Sequence, residues 1–154
     1  MIKIRHIDGK KYEATNGREI IIIDTEKYSP VEMFITGMGN CSLFDVVEMA
    51  KDKGFEIEAE MEIEYKRRDT FPKIFTEFHF IYNLKSNADN ITAKRWVLSS
   101  LETYCSTINT VRNTSKIFYT IILNGETIAY KEMILSGSQD EHHHIEDDGF
   151  ECVA

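Results

Sequence analysis

Proline occurs only twice, tryptophan once and cysteine three times in this chain of 154 residues, and there are 8 glycines. So little proline and glycine excludes a collagen-like or low-complexity chain, and a hydrophobic share of 42% suits a single globular domain. A domain of this size buries roughly 68–70% of its unfolded surface, so it needs neither disulfides nor a structural metal to hold a core. The cysteines are odd in number, widely spaced and without a Cys-x-x-Cys pair, which argues against a disulfide scaffold or a zinc ribbon. Inert core thiols or redox chemistry remain.

Basic charge is also scarce. The chain carries 18 Lys and Arg against 26 Asp and Glu, for a net charge of -8, and no basic run exceeds Lys66-Arg67-Arg68. A nucleic-acid partner is therefore not expected. Six of the acids lie in residues 138–154, which contain no Lys or Arg; without them the body is near -2. Long apolar runs are missing too, because the richest, Met33 to Met49, is interrupted by Gly37, Gly39, Asn40, Asp45 and Glu48. The alternating start Met1-Ile2-Lys3-Ile4-Arg5-His6 is not that of a signal peptide. The expectation is a cytoplasmic protein with no membrane partner.

What is present reads as α+β. Three strands, 1–7, 10–15 and 18–24, are separated by Asp8-Gly9 and Asn16-Gly17, dipeptides suited to tight hairpin turns. The run Ile20-Ile21-Ile22-Ile23 is apolar on both faces and is expected between two layers. Ser29-Pro30-Val31-Glu32 is a capping box with proline at the first helical position, opening a helix that Gly54 ends. Its apolar residues Met33, Phe34, Ile35, Met38, Leu43, Phe44, Val46 and Val47 point to all sides, which predicts burial all round. Gly37, Gly39 and Ser42 around Cys41 predict close approach of another element, in a crowded helix crossing.

Residues 55–65 alternate six apolar side chains with five glutamates, the pattern of an antiparallel strand with one face buried. A turn at 69–72 leads to a partner strand over 74–82. Asn90 or Thr92 is the expected cap of a second helix with an apolar stripe at Val97, Leu101, Tyr104, Ile108 and Val111, bordered by Cys105. A strand at 116–123, an Asn124-Gly125 turn and a last strand over 126–135 follow. The expected boundaries are a domain over 1–135 and an acidic, histidine-containing tail over 136–154.

Several of these segments together resemble the OsmC/Ohr family, the osmotically inducible protein C and organic hydroperoxide resistance proteins. They are Ser29-Pro30-Val31-Glu32-Met33, Gly37-Met38-Gly39-Asn40-Cys41-Ser42, Asp45-Val46-Val47, Glu64 to Arg68 with Phe71-Pro72-Lys73-Ile74-Phe75-Thr76, and Glu102-Thr103-Tyr104-Cys105-Ser106. The cysteines stand 64 positions apart, as in the family pattern, and the match runs over about residues 1–124. The resemblance implies an intertwined homodimer in which antiparallel sheets wrap two central helices. It also implies a thiol peroxidase that uses no cofactor or bound metal. Cys41 would attack an organic hydroperoxide, Cys105 would resolve the sulfenic acid as a disulfide, and an external dithiol would restore the pair.

A free thiol has a pKa of about 8.5, and lowering it to about 6 takes roughly 3.4 kcal/mol of preference for the charged form. Cys41 sits about eleven residues into its helix, beyond the reach of the helix dipole, so a cation must supply that preference. The family's peroxidases use an arginine from the N-terminal hairpin region held by an early helix glutamate. That glutamate position falls at Val31 here. Glu32 lies nine residues before Cys41, half a rotation away, and is expected to cap the helix instead. Arg18 is the candidate arginine, with Arg67 and Arg68 as others. Asp45, one turn beyond Cys41 on the same face, could anchor a cation beside the thiol; without a cation it would raise the thiol's pKa.

Cys105 is expected either at a helix break, where exposed backbone N–H groups favour a thiolate, or in a core role beside Leu101 and Ile108. Asp45 and Glu102 are expected to be structural hydrogen-bonding groups rather than proton shuttles, and Tyr104 is expected to pack. His142, His143, His144 and Cys152 form a separate group in the tail, and a solvated tail is the expectation there. Besides the peroxidase, two readings stay open. One is a small-ligand binding protein of the same fold with an apolar pocket near Met33, Phe34 and Met38. The other is a metal-responsive or chaperone-like module acting through the tail.

Overall fold

The structure is a computed structural model and describes residues 1–135; the tail group His142 to His144 and Cys152 lies outside the described residues. The chain forms two compact units, Met1–Gly37 and a second that begins at Met38. The helix α1, Pro30–Asp52, passes from the first into the second.

In the first unit β1 (Lys3–Asp8), β2 (Lys11–Thr15) and β3 (Ile20–Asp24) form an antiparallel meander in that order. Gly9 and Gly17 occupy the turns with φ of 53° and 90°, a region open to glycine without steric cost. Asn16 Oδ1 accepts from the backbone N–H groups of Arg18 and Glu19, both at 2.9 Å, which closes the second turn. The expected capping box is present: the N–H of Glu32 donates to Ser29 Oγ at 3.2 Å, and Glu32 Oε2 accepts from the N–H of Ser29 at 2.7 Å. Glu32 therefore caps the helix, as its position predicted. The expected burial of β3 between two layers is not what the single chain shows. Ile20, Ile21 and Ile22 are 62%, 53% and 61% exposed.

The second unit is built on a four-stranded sheet in the order β4 (Ile57–Arg67), β5 (Phe75–Ser86), β6 (Lys116–Leu123) and β7 (Glu126–Met133). β4 and β5 pair antiparallel as the alternation predicted, with Ile63 opposite Phe80. β5 and β6 pair in parallel, which a tight turn cannot connect. The crossover is made by α2 (Asn90–Ser99), a π-helical turn (Ser100–Tyr104) and α3 (Ser106–Val111). Asp89, one residue before the expected cap, closes α2 by accepting from the N–H of Thr92 at 2.9 Å. Asn124 and Gly125, with φ of 52° and 85°, make the expected β6–β7 hairpin turn.

Phe78, Phe80, Tyr82 and Leu84 of β5 form the buried face of the sheet, joined by Ile117, Ile121 and Leu123 of β6. Trp96, Val97, Leu101 and Ile108 add the crossover's apolar stripe. α1 contributes Met38, Val46 and Ala50. This helix is not buried all round: Phe34 and Phe44 are 45% and 44% exposed. The residues of β4's apolar face are half-buried rather than fully covered, and Tyr65 is exposed. Close approach does occur at Gly39, where a Cβ would stand 2.5 Å from Ile63 Cδ1 and 3.3 Å from Met61 Sδ. The approaching element is a strand, and the expected counterpart at Gly37 has nothing within 4 Å.

Candidate thiol site

On α1, Asp45 is the neighbour of both Cys41, four positions before it, and Ser42, three before it, because the helix repeats every 3.6 residues. Facing them is the break in the crossover. The N–H of Cys105 donates to Ser100 O at 2.9 Å, closing the π turn, and Cys105 itself adopts φ -68° and ψ 99° as the residue that precedes α3. The break predicted at Cys105 is therefore present. The side chain of Asn109 donates to Cys105 O at 2.9 Å, and Arg112 Nη1 donates to Glu102 O and to Asn109 Oδ1, both at 2.8 Å. This brace holds the break. Arg112 Nε is buried with no hydrogen-bond partner among the described residues.

The result is a compact donor group. Cys41 Sγ, Cys105 Sγ and an Asp45 carboxylate oxygen all lie within 4.8 Å of one another. Both cysteines are free; Cys41 is half-buried and Cys105 fully buried. Burial pushes the Cys105 thiol up to about 12. The Thr107 hydroxyl, 3.2 Å from the sulfur, and the N–H of Ile108 work against that rise, while neighbouring Cys41 adds to it. The expectation that the helix break would favour a thiolate at Cys105 is overturned, because the loss of water outweighs one short helix's N–H groups.

Asp45 is fully buried and held by a chain of hydroxyls. Ser100 Oγ donates to Asp45 Oδ2 at 2.9 Å, Ser42 Oγ lies 2.7 Å from Ser100 Oγ, and Tyr82 Oη lies 2.6 Å from Ser42 Oγ. Ser100 Oγ also lies 3.2 Å from Ser42 O, so the three hydroxyls and the carboxylate form one buried hydrogen-bonded cluster. Burial raises the Tyr82 phenol well above its ordinary range, which keeps it a donor. The sequence marks neither Ser100 nor Tyr82 as a site residue: Tyr82 ends an expected strand, and Ser100 is a small polar residue beside the stripe residue Leu101.

Arg18 lies at the β2–β3 turn in the first unit. Arg67 Nε donates to Lys73 O at 2.8 Å and Arg68 Nη2 to Pro72 O at 2.8 Å, so both guanidinium groups close the β4–β5 turn. Glu102 supplies its carbonyl to the Arg112 brace, a structural role. A second polar group spans the opposite face of the sheet, where His79 sits 3.1 Å from Glu64 Oε2 and 2.8 Å from Thr120 Oγ1. Among the described residues no helix is long and apolar enough to cross a membrane.

The fold and site define an α+β protein in which a helix and a helical break bring two free thiols together beside a buried carboxylate. The sequence profile of the OsmC-like protein family matches residues 23–120, and the chain belongs to that family. Solved structures agree in fold. An OsmC-like protein from Mycoplasma pneumoniae superposes with a TM-score of 0.69 at 17% identity, covering 80% of this chain and 95% of that one. An organic hydroperoxide resistance protein OsmC from Legionella pneumophila gives 0.56 at 16% identity, covering 79% and 96%. The organic hydroperoxide resistance protein OhrB of Bacillus subtilis gives 0.53 at 14% identity, covering 79% and 97%. At these identities the likeness is one of fold. None of the curated proteins compared with the chain matches it.

Proposed function

We propose that the protein is a cytoplasmic thiol peroxidase that reduces organic hydroperoxides. The observation that carries this reading is the pairing of a half-buried Cys41 with a buried Cys105, their sulfurs within 4.8 Å. The accessible sulfur is the nucleophile. Its thiolate attacks the distal peroxide oxygen, the O–O bond breaks, and the products are a Cys41 sulfenic acid and an alcohol that takes up a proton. The Cys105 sulfur then attacks the Cys41 sulfur, hydroxide leaves as water with the Cys105 proton, and a disulfide forms. An external dithiol reduces that bond by thiol–disulfide exchange and restores both thiols.

A nucleophilic thiolate calls for a cation beside it. Arg18 is the residue proposed for that task, since Arg67 and Arg68 already bind turn carbonyls. The proposed assembly is a homodimer. The exposed apolar side chains of β3, together with Phe34 and Phe44 of α1, support a second copy as their cover.

The test is to mix reduced protein with a small excess of cumene hydroperoxide, count thiols and map disulfides by mass spectrometry. Rapid loss of two thiols with a Cys41–Cys105 bridge is expected. Survival of both thiols for minutes overturns the reading and leaves a binding scaffold of the same fold, whose ligand would bind a Cys41→Ser variant equally well.

A further inference from the structure

The thiol pair and Asp45 together have the makings of a cation site. Around a tetrahedral zinc ion, thiolate sulfurs at about 2.3 Å and a carboxylate oxygen at about 2.0–2.2 Å stand roughly 3.5–3.8 Å from one another. The three donor atoms here lie within 4.8 Å of one another, so side-chain rotations that close about 1 Å would bring them to that geometry. Two sulfurs with one oxygen form a donor set suited to soft and borderline metals. We propose that, when both thiols are reduced, Cys41 Sγ, Cys105 Sγ and an Asp45 carboxylate oxygen ligate a thiophilic divalent cation of the zinc class, with the fourth position open.

Three further features of a working metal site are present. The carboxylate has an outer partner, since Ser100 Oγ donates to Asp45 Oδ2 at 2.9 Å and is itself tied to Ser42 and Tyr82. The Cys105 end is held by the Arg112 and Asn109 brace. Cys41 is half-buried while Cys105 and Asp45 are buried, so a cation enters from the Cys41 side. Ligation forms two metal–sulfur bonds, breaks two S–H bonds and releases two protons to solvent, and no electrons move. The site rests on the position of the three donors and not on the peroxidase reading. If that reading also holds, the cation occupies the sulfur electrons that would attack a peroxide, and metal and oxidant compete for one state of the protein.

The test uses the full chain with His142, His143 and His144 replaced by Ala and Cys152 by Ser, so that the tail offers no competing donors. Reduced protein is titrated with cadmium chloride alone and followed by the ultraviolet thiolate-to-metal charge-transfer band. One cadmium per chain is expected. Cys41→Ser and Cys105→Ser should each lose the band's two-sulfur intensity, Ser100→Ala should weaken binding about tenfold or more, and Asp45→Asn should weaken it further.

No band at one equivalent, a band unchanged in Cys41→Ser, or equal cadmium affinity in Asp45→Asn and its parent overturns the proposal. Circular dichroism checks the fold of Asp45→Asn. If that variant does not fold, alkylation of the parent decides: one equivalent of zinc chloride should protect Cys41 from iodoacetamide, and undiminished labelling overturns the site. Peroxide consumption is scored separately, so a dead peroxidase that binds cadmium and an active one that does not are told apart.

Discussion

Ser100, in the π turn of the crossover, donates its hydroxyl proton to Asp45 of α1 at 2.9 Å, joining two residues 55 positions apart in a buried contact. Removing the donor takes one hydrogen bond from a buried carboxylate, which costs about 1–3 kcal/mol. Ser100→Ala should therefore lower the urea midpoint with no change in its m-value. Tyr82→Phe, which removes only the far end of the same chain, should cost about 0.5–1.5 kcal/mol. Equal and negligible effects from both would show that the hydroxyl chain is not a structural unit.

The close contact at Gly39 predicts a compensating pair. Gly39→Ala puts a Cβ 2.5 Å from Ile63 Cδ1 and should destabilise by about 1–3 kcal/mol through overpacking. Ile63→Val removes that Cδ1, so the double variant should recover most of the loss. A double-mutant cycle by chemical denaturation measures the coupling, and strict additivity would place the strain elsewhere.

The two thiols should separate the steps of the proposed peroxidase cycle. Cys105→Ser should still react once with cumene hydroperoxide and accumulate a Cys41 sulfenic acid that dimedone traps. Cys41→Ser should give no peroxide-dependent modification of Cys105, because that sulfur is buried. Dimedone labelling followed by peptide mapping reads both outcomes. Arg18→Ala should slow the first step.

Acid should weaken the start of α1. Hydrogen bonds from the Ser29 side chain and backbone hold the Glu32 carboxyl below its ordinary range. A lowered folded-state pKa means that the stabilisation is complete above the unfolded value and is lost as pH falls through the folded one. Glu32→Gln should therefore reduce the fall in stability below about pH 4.3. Thermal melts from pH 6 to pH 3 measure it, and parallel curves for parent and variant would contradict the assignment.

Much of the fold was legible because its signals are local. The capping box at Ser29 and Glu32, the Asn-Gly turns and the glutamate alternation of β4 each depend on a few neighbouring residues, and each element is where the pattern put it. Burial was read less well. Ile20 to Ile22, Phe34 and Phe44 are apolar by composition yet exposed in a single chain, since residue type cannot say whether the covering surface belongs to the same molecule. The register of Cys105 was also partly hidden. The apolar stripe runs through its break at regular helical spacing, whereas the π turn that makes the break is a matter of backbone hydrogen bonding.

The sequence by itself determined the strands, the capping box of α1, the glycine turns, the two cysteines at a separation of 64 positions, and membership of the family that this pattern resembles. Only the tertiary structure decided the parallel pairing of β5 with β6 and the burial of Cys105 beside a half-buried Cys41. It also decided that Tyr82, Ser42 and Ser100 lead by hydrogen bonds to Asp45. The physical reason is range. Caps, turns and alternation act between near neighbours along the chain, while the pKa of a thiol and the donors around it depend on groups that only the folded chain brings within a few ångströms.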